Sequence, residues 1–208
     1  MSFYPELDNL NLEELANRFQ LPPPAGESEA LYYQEIADII ANTGKAGIDF
    51  LFSKINDANT VRLQAIIFAL TGAKLENSQL KSLLINYLHN QNPSIVMEAI
   101  EGLIRLEAKE TKNEILALRE HSSQYVRSSV LRYISKLYPE EALPLLIEGL
   151  KDPDYVVRES AADELGELEA VEAIEYLQPL TEDAHPDVRQ AAQTSIEILR
   201  GNFSYSIS

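Results

Sequence analysis

The stretch "DPDYVVRESAADELGEL", residues 152–168, decides the fold. At a distance of 31 residues upstream the chain reads "HSSQYVRSSVLRYISKL", and 31 residues downstream "DAHPDVRQAAQTSIEIL". Val126, Val157 and Val188 fall in register, as do Arg127, Arg158 and Arg189. Apolar or small residues follow at helical offsets: Val130, Ala161 and Ala192, then Ile134, Leu165 and Ile196, then Leu137, Leu168 and Leu199. Spacings of three and four put each set on one face of a helix, so each copy reads as a helix with one buried side. Self-similarity at this period is the mark of a repeat array.

The same comb extends upstream. Ile95, Ala99, Leu103 and Leu106 match it at a step of 31, with Val96 and Met97 where an Arg and a polar residue are expected. A further step of 34 reaches Val61, Arg62, Ala65 and Ala69. A partner helix precedes each copy, marked by Phe50, Leu84, Ile115, Leu146 and Leu177. Each repeat is therefore expected to be a hairpin of helix A, a polar turn and helix B. Asn92, Ser123 and Asp154 occupy one aligned position before helix B, where an N-cap oxygen accepts an orphan backbone N–H. Pro93 and Pro186 suit the first helical position, and His185 stands where a better cap is expected. Pro144 fits an opening turn of helix A, whereas Pro179 is expected to end or kink its helix.

The expected fold is all-α: a right-handed α-solenoid of about five such hairpins with an N-terminal helical cap. Residues 1–27 form the cap and a Pro-rich break, with a short helix over 7–19. Residues 28–200 form the array as a single domain, opening with a B-like helix over 28–44. Residues 201–208 form a flexible tail that starts at the helix-stopping Gly201. No hairpin can bury its inner face alone, so each depends on its neighbours.

Composition narrows the function classes. The 208 residues contain no cysteine, which removes disulfides, thiolate metal sites and cysteine nucleophiles, and points to a cytoplasmic location. No apolar run approaches the roughly 20 residues that a membrane helix needs, and the acidic N-terminus lacks a signal-peptide pattern. The net charge of −16 is uneven: nine acids against two bases over 1–50, eight against eleven over 51–138, and sixteen against four over 139–208. Such a surface repels phosphate backbones and anionic lipid, so neither nucleic acid nor a membrane is an expected partner. His89, His121 and His185 have no metal-ligand spacing, and there is no catalytic or nucleotide-binding motif. No catalytic residue and no metal site is assigned.

The pattern D-P-x, then V-R, then small residues and Leu-Gly resembles the HEAT-like repeat family, over roughly residues 28–200. The short period is similar to that of the subgroup named after the phycobilisome lyases of cyanobacteria. That resemblance implies a linear tetrapyrrole (bilin) as cofactor and a phycobiliprotein as partner, in a bilin-lyase subunit or a phycobilisome assembly or degradation factor. The reading from the residues themselves is a non-catalytic scaffold with no cofactor. It would bind another protein, one with basic patches, on the concave face of the array. Candidate contacts are the column Arg62, Arg127, Arg158 and Arg189, the apolar break Val96 and Met97, and the tyrosines Tyr125 and Tyr155. The Arg column has two readings. It either grips a partner's carboxylates or ties repeats together through the turn acids Asp152 and Asp183.

Overall fold

A computed structural model describes residues 3–73 and 78–201. The described residues contain twelve α-helices and no strand. They run α1 (Leu12–Gln20), α2 (Glu29–Asn42), α3 (Lys45–Lys54), α4 (Thr60–Gly72), α5 (Ser78–Tyr87), α6 (Pro93–Arg105), α7 (Lys112–Leu116), α8 (Gln124–Leu137), α9 (Pro139–Gly149), α10 (Tyr155–Glu167), α11 (Ile174–Leu177) and α12 (Pro186–Leu199). This is the α-solenoid class expected from the comb. The array has one more pair than the five hairpins, because the N-terminal cap is itself a helix pair, α1 on α2. The tail from residue 202 onward lies outside the described residues.

The chain divides into two compact units, residues 1–108 and 109–208. In the first, the B helices α2, α4 and α6 pack side by side in series, backed by the A helices α1, α3 and α5. The core opens with Tyr4 edge-on to Tyr32, and with Phe19 edge-on to Tyr33, at centroid distances of 5.1 and 5.7 Å. Such aromatic pairs add to the area they bury. Ile36, Ile40, Leu51, Ile66, Ile67, Leu70 and Leu84 continue this core without solvent contact.

The first repeat corrects the sequence register. Helix α4 begins at Thr60 and α6 at Pro93, a step of 33 and not 34. The A helices agree: Leu51 is fully buried and stands 33 residues before buried Leu84, while Phe50 is only half-buried. Leu63 thus occupies the place that Val96 holds in α6, and Arg62 lies one residue outside the column. Both registers put apolar residues in most core places, and burial is what separates them.

In the second unit α8, α10 and α12 form the B series, with α7, α9 and α11 as A helices. The predicted columns are buried: Ile115, Leu146 and Leu177 in the A helices, and Val126, Val157 and Val188 in the B helices. Pro144 sits inside α9, past the opening turn. Pro179 behaves as expected, since α11 ends at Leu177 and a 3-10 segment runs from Gln178 to Glu182. Gly201 ends α12 at φ 71°, a left-handed conformation that glycine adopts without steric cost.

The turns explain where the B helices start. Asp154 accepts from Val156 N and Asn92 from Ser94 N, as N-caps do. His185 caps in the same manner, its Nδ1 accepting from Asp187 N at 3.4 Å, so the last repeat starts as α6 and α10 do. Ser123 makes no such bond with its side chain. Its backbone N–H instead donates to His121 Nδ1, two residues before it. Asn90, Asp152 and Asp183 accept from residue i+2 in the same way.

Candidate functional site

The arginine column of the second unit is a ladder. Arg127 Nε and Nη2 donate to Asp152 Oδ2 and Oδ1 at 2.9 and 2.7 Å, a bidentate pair with the next repeat's turn. Its Nη1 donates to His121 O, in its own turn, at 2.8 Å. One period later Arg158 repeats the arrangement with Asp183, at 2.9 and 3.0 Å, and with Asp152 O at 2.8 Å. Both pairs are largely withdrawn from water, the side chains of Arg158 and Asp183 being 17% and 13% exposed. Desolvation opposes the charge of Asp152, but the bonds from Arg127 and from Asp154 N outweigh it and hold the carboxyl below the usual range. The Arg158 bond is the main reason that Asp183 is held low as well.

Arg62 is built differently. Its Nη2 donates to Tyr33 Oη at 2.8 Å and to Gln20 O and Leu21 O at 3.3 Å, and the guanidinium lies over the Tyr33 ring. It fastens α4 to the N-terminal pair and, with Lys54, Asp57 and Phe19, lines a groove of about 260 Å³. A larger groove of about 520 Å³ runs beside the Arg127–Asp152 rung. Leu131, Leu145 and Val157 contribute to its apolar wall, and Arg119 and Lys151 bring charge to it.

The break at Val96 and Met97 does not form an exposed apolar spot. Val96 has no solvent contact and Met97 is half-buried. A valine has no polar end to place in the turn, so the position simply closes over it, as it does over Leu63 in α4. The tyrosines are accessible: Tyr125 is 52% and Tyr155 37% exposed. The Tyr155 ring stacks on His185 at 3.5 Å between centroids, joining the starts of α10 and α12.

The comb of apolar residues gave no sign of a row of carboxylates along α10. Glu159, Asp163 and Glu167 follow one another at helical spacing on one ridge, a like-charge run that costs helix stability. Lys136 of α8 serves Glu167 and reaches buried Glu164 at 3.9 Å. No ion pair reaches Glu159 or Asp163 among the described residues. Asp163 is exposed overall, yet desolvation of its carboxyl and the charges of Glu159, Glu164 and Glu167 push it up to about 6. Desolvation and Asp187 also raise Glu159. The spacing of four between acids that bear no relation to the core comb was the available signal. No group of three or more acidic or histidine side chains among the described residues has the geometry to hold a metal ion.

Residues 111–197 match the HEAT repeats family. That span contains both rungs of the ladder and the carboxylate row. No curated protein matches the chain. Among solved structures, the chain is similar to YIBA of E. coli, with a TM-score of 0.72 at 21% identity, over 93% of this chain and 72% of that one. It is also similar to the complex of CpcE and CpcF of phycocyanin lyase from Nostoc sp. PCC7120, with a TM-score of 0.52 at 16% identity, over 92% and 82%. A designed armadillo repeat protein in complex with peptide (KR)4 aligns with a TM-score of 0.50 at 17% identity, over 91% and 100%. At such identities these likenesses show the helical-repeat fold alone. No helix among the described residues is long and apolar enough to cross a membrane.

Proposed function

We propose that the protein is a non-catalytic interaction scaffold whose B-helix ridge in residues 109–208 receives a basic segment of a partner protein. The observation that carries this reading is the carboxylate row of α10, where Glu159 and Asp163 lack a cation of their own. Tyr155, stacked on His185, stands at the start of that row, and Tyr125 is exposed at the start of α8. Aromatic faces and carboxylates together suit a guanidinium or ammonium group. The complex of a designed armadillo repeat protein with (KR)4 supports the idea that a surface of stacked helices can hold alternating basic residues. On this reading Arg127 and Arg158 organise the surface without touching the partner, and Arg62, Val96 and Met97, which belong to the first unit, have no role in it.

The test is fluorescence anisotropy of a labelled (KR)4 peptide with the full chain. Binding that weakens about tenfold in the double variant Glu159→Gln, Asp163→Asn is expected, since two charge-assisted contacts are lost. The paired change Glu13→Gln, Glu172→Gln should leave binding intact. Equal loss in both would reduce the effect to net charge and sink the assignment.

The likeness to the CpcE–CpcF complex favours a second reading, a bilin-lyase-type subunit acting on a phycobiliprotein with a linear tetrapyrrole. Mixing the chain with phycocyanobilin, alone and with a phycobiliprotein subunit, checks it by visible absorbance. A shifted band supports that reading, and an unchanged spectrum in both mixtures removes it.

A further inference from the structure

The ladder of the second unit has three arginines and two carboxylates. In Arg127 and Arg158, Nη1 is held by a carbonyl of the preceding turn, while Nε and Nη2 carry the aspartate of the next repeat. Arg189 makes the first half of this arrangement. Its Nη1 donates to Asp183 O at 2.7 Å and to Ala184 O at 3.0 Å. No carboxylate stands on its Nε–Nη2 edge among the described residues, and Arg189 as a whole is only partly buried. The carbonyl clamp fixes the guanidinium plane, so its open edge is oriented before anything binds.

We propose that Arg189 is a vacant rung, a docking point for an aspartate carboxylate that a partner protein presents in a turn. The two filled rungs define what fits. In each, the carboxylate is aimed by its own i+2 backbone N–H, Asp152 by Asp154 N and Asp183 by His185 N, both at 2.8 Å. The ligand is therefore an aspartate in a tight turn, and not an acid on a flexible stem. Nearby acids do not forbid it: Asp183 closes on Arg158 although Asp154 caps the same helix, and the corresponding cap beside Arg189 is His185.

The surrounding face sets the kind of interface. Where α10 has Ala162 and Gly166, both buried, α12 has exposed Gln193 and Glu197. That end of α12 does not offer the dry seam on which a further apolar hairpin stacks, and it suits a wet contact with a polar loop. This inference stands apart from the basic-segment reading, which concerns the α10 ridge.

The probe is the acetylated and amidated peptide KDPDYV, the sequence of residues 151–156, added to the nitrogen-15-labelled full chain. The readout is the set of arginine Nε–Hε resonances, with Arg189→Lys identifying the signal of that residue. The Arg189 signal should shift and saturate, while those of Arg127 and Arg158, already occupied, stay in place. A peptide carrying Asp152→Asn should bind about fivefold more weakly, the effect of one accessible ion pair. An unmoved Arg189 signal overturns the proposal. So does an equal response to the Asn peptide, or an equal shift at Arg127 and Arg158. The peptide comparison needs no variant of the protein and holds even if Arg189→Lys folds poorly.

Discussion

Arg158 and Asp183 show why a repeated residue is first of all a structural one. The guanidinium serves two turns at once, so its loss strands a part-buried carboxylate and two carbonyls. Arg158→Ala should destabilise the chain by about 2–3 kcal/mol in urea unfolding. Arg158→Lys should recover less than half of that, because an ammonium cannot span the fork. The carboxyls also set the acid limit. Asp152 and Asp183 are depressed, so their contribution is complete above the ordinary aspartate value of about 4 and is lost as pH falls through their lower native values. Asp163 works with the opposite sign. Its carboxyl is raised to about 6, so its charge penalises the folded state above that value, and the penalty lifts as pH falls from 7 towards 4. Thermal melting should therefore show stability rising from pH 7 to 5 and falling below 4. Asp163→Asn should raise the melting temperature at pH 7 and have little effect at pH 4.

At the scale of helices, close approach is bought with small residues. A Cβ on Gly166 would lie 2.6 Å from Ser195 Oγ and 3.2 Å from the Ser195 Cα, and Ser195 is itself fixed by a bond to Ala162 O. Gly166→Ala should cost about 1–3 kcal/mol through overpacking of α10 against α12, despite alanine's better helix propensity. Gly72 ends α4 with no atom of the described residues within 4 Å of the place a Cβ would take, and Gly72→Ala should stabilise by about 0.5 kcal/mol in the same denaturation assay. Much of this scale was legible beforehand. The period of 31 exposes four B helices and one longer step a fifth, and Asp152 and Asp183 are visible as partners for the Arg column. The first step departs from the sequence register because burial, and not residue type, sets the repeat position. Leu51 and Leu63, and not Phe50 and Arg62, hold the repeat positions. The cap expected at Ser123 is absent, since its side chain makes no bond to the start of α8. The carboxylate row is not legible from the repeat, because a comb of buried positions is blind to what lies between its teeth.

Charge acts on the molecule as a whole. Residues 1–108 carry a net charge of −7 and residues 109–208 of −9, so both units repel anions and neither competes for a cationic partner by sign alone. What separates them is arrangement. In the second unit the ladder consumes two arginines internally, leaving the α10 carboxylates without those counterions. A basic ligand held by exposed carboxylates must respond to screening, whose length falls from roughly 30 Å at 0.01 M salt to about 8 Å at 0.15 M. Affinity for (KR)4 should fall about tenfold between those two conditions. It should also fall between pH 7 and 5, as Asp163 gains a proton at about 6. Anisotropy titrations over a grid of salt and pH separate the two effects. Screening lowers affinity for wild type and for Asp163→Asn alike, whereas the pH step belongs mainly to wild type. An affinity that ignores salt while keeping the pH step would place the contact in a dry pocket, not on the open ridge. The groove of about 520 Å³ beside the first rung would then be the surface to mutate, starting with Leu145 and Glu148.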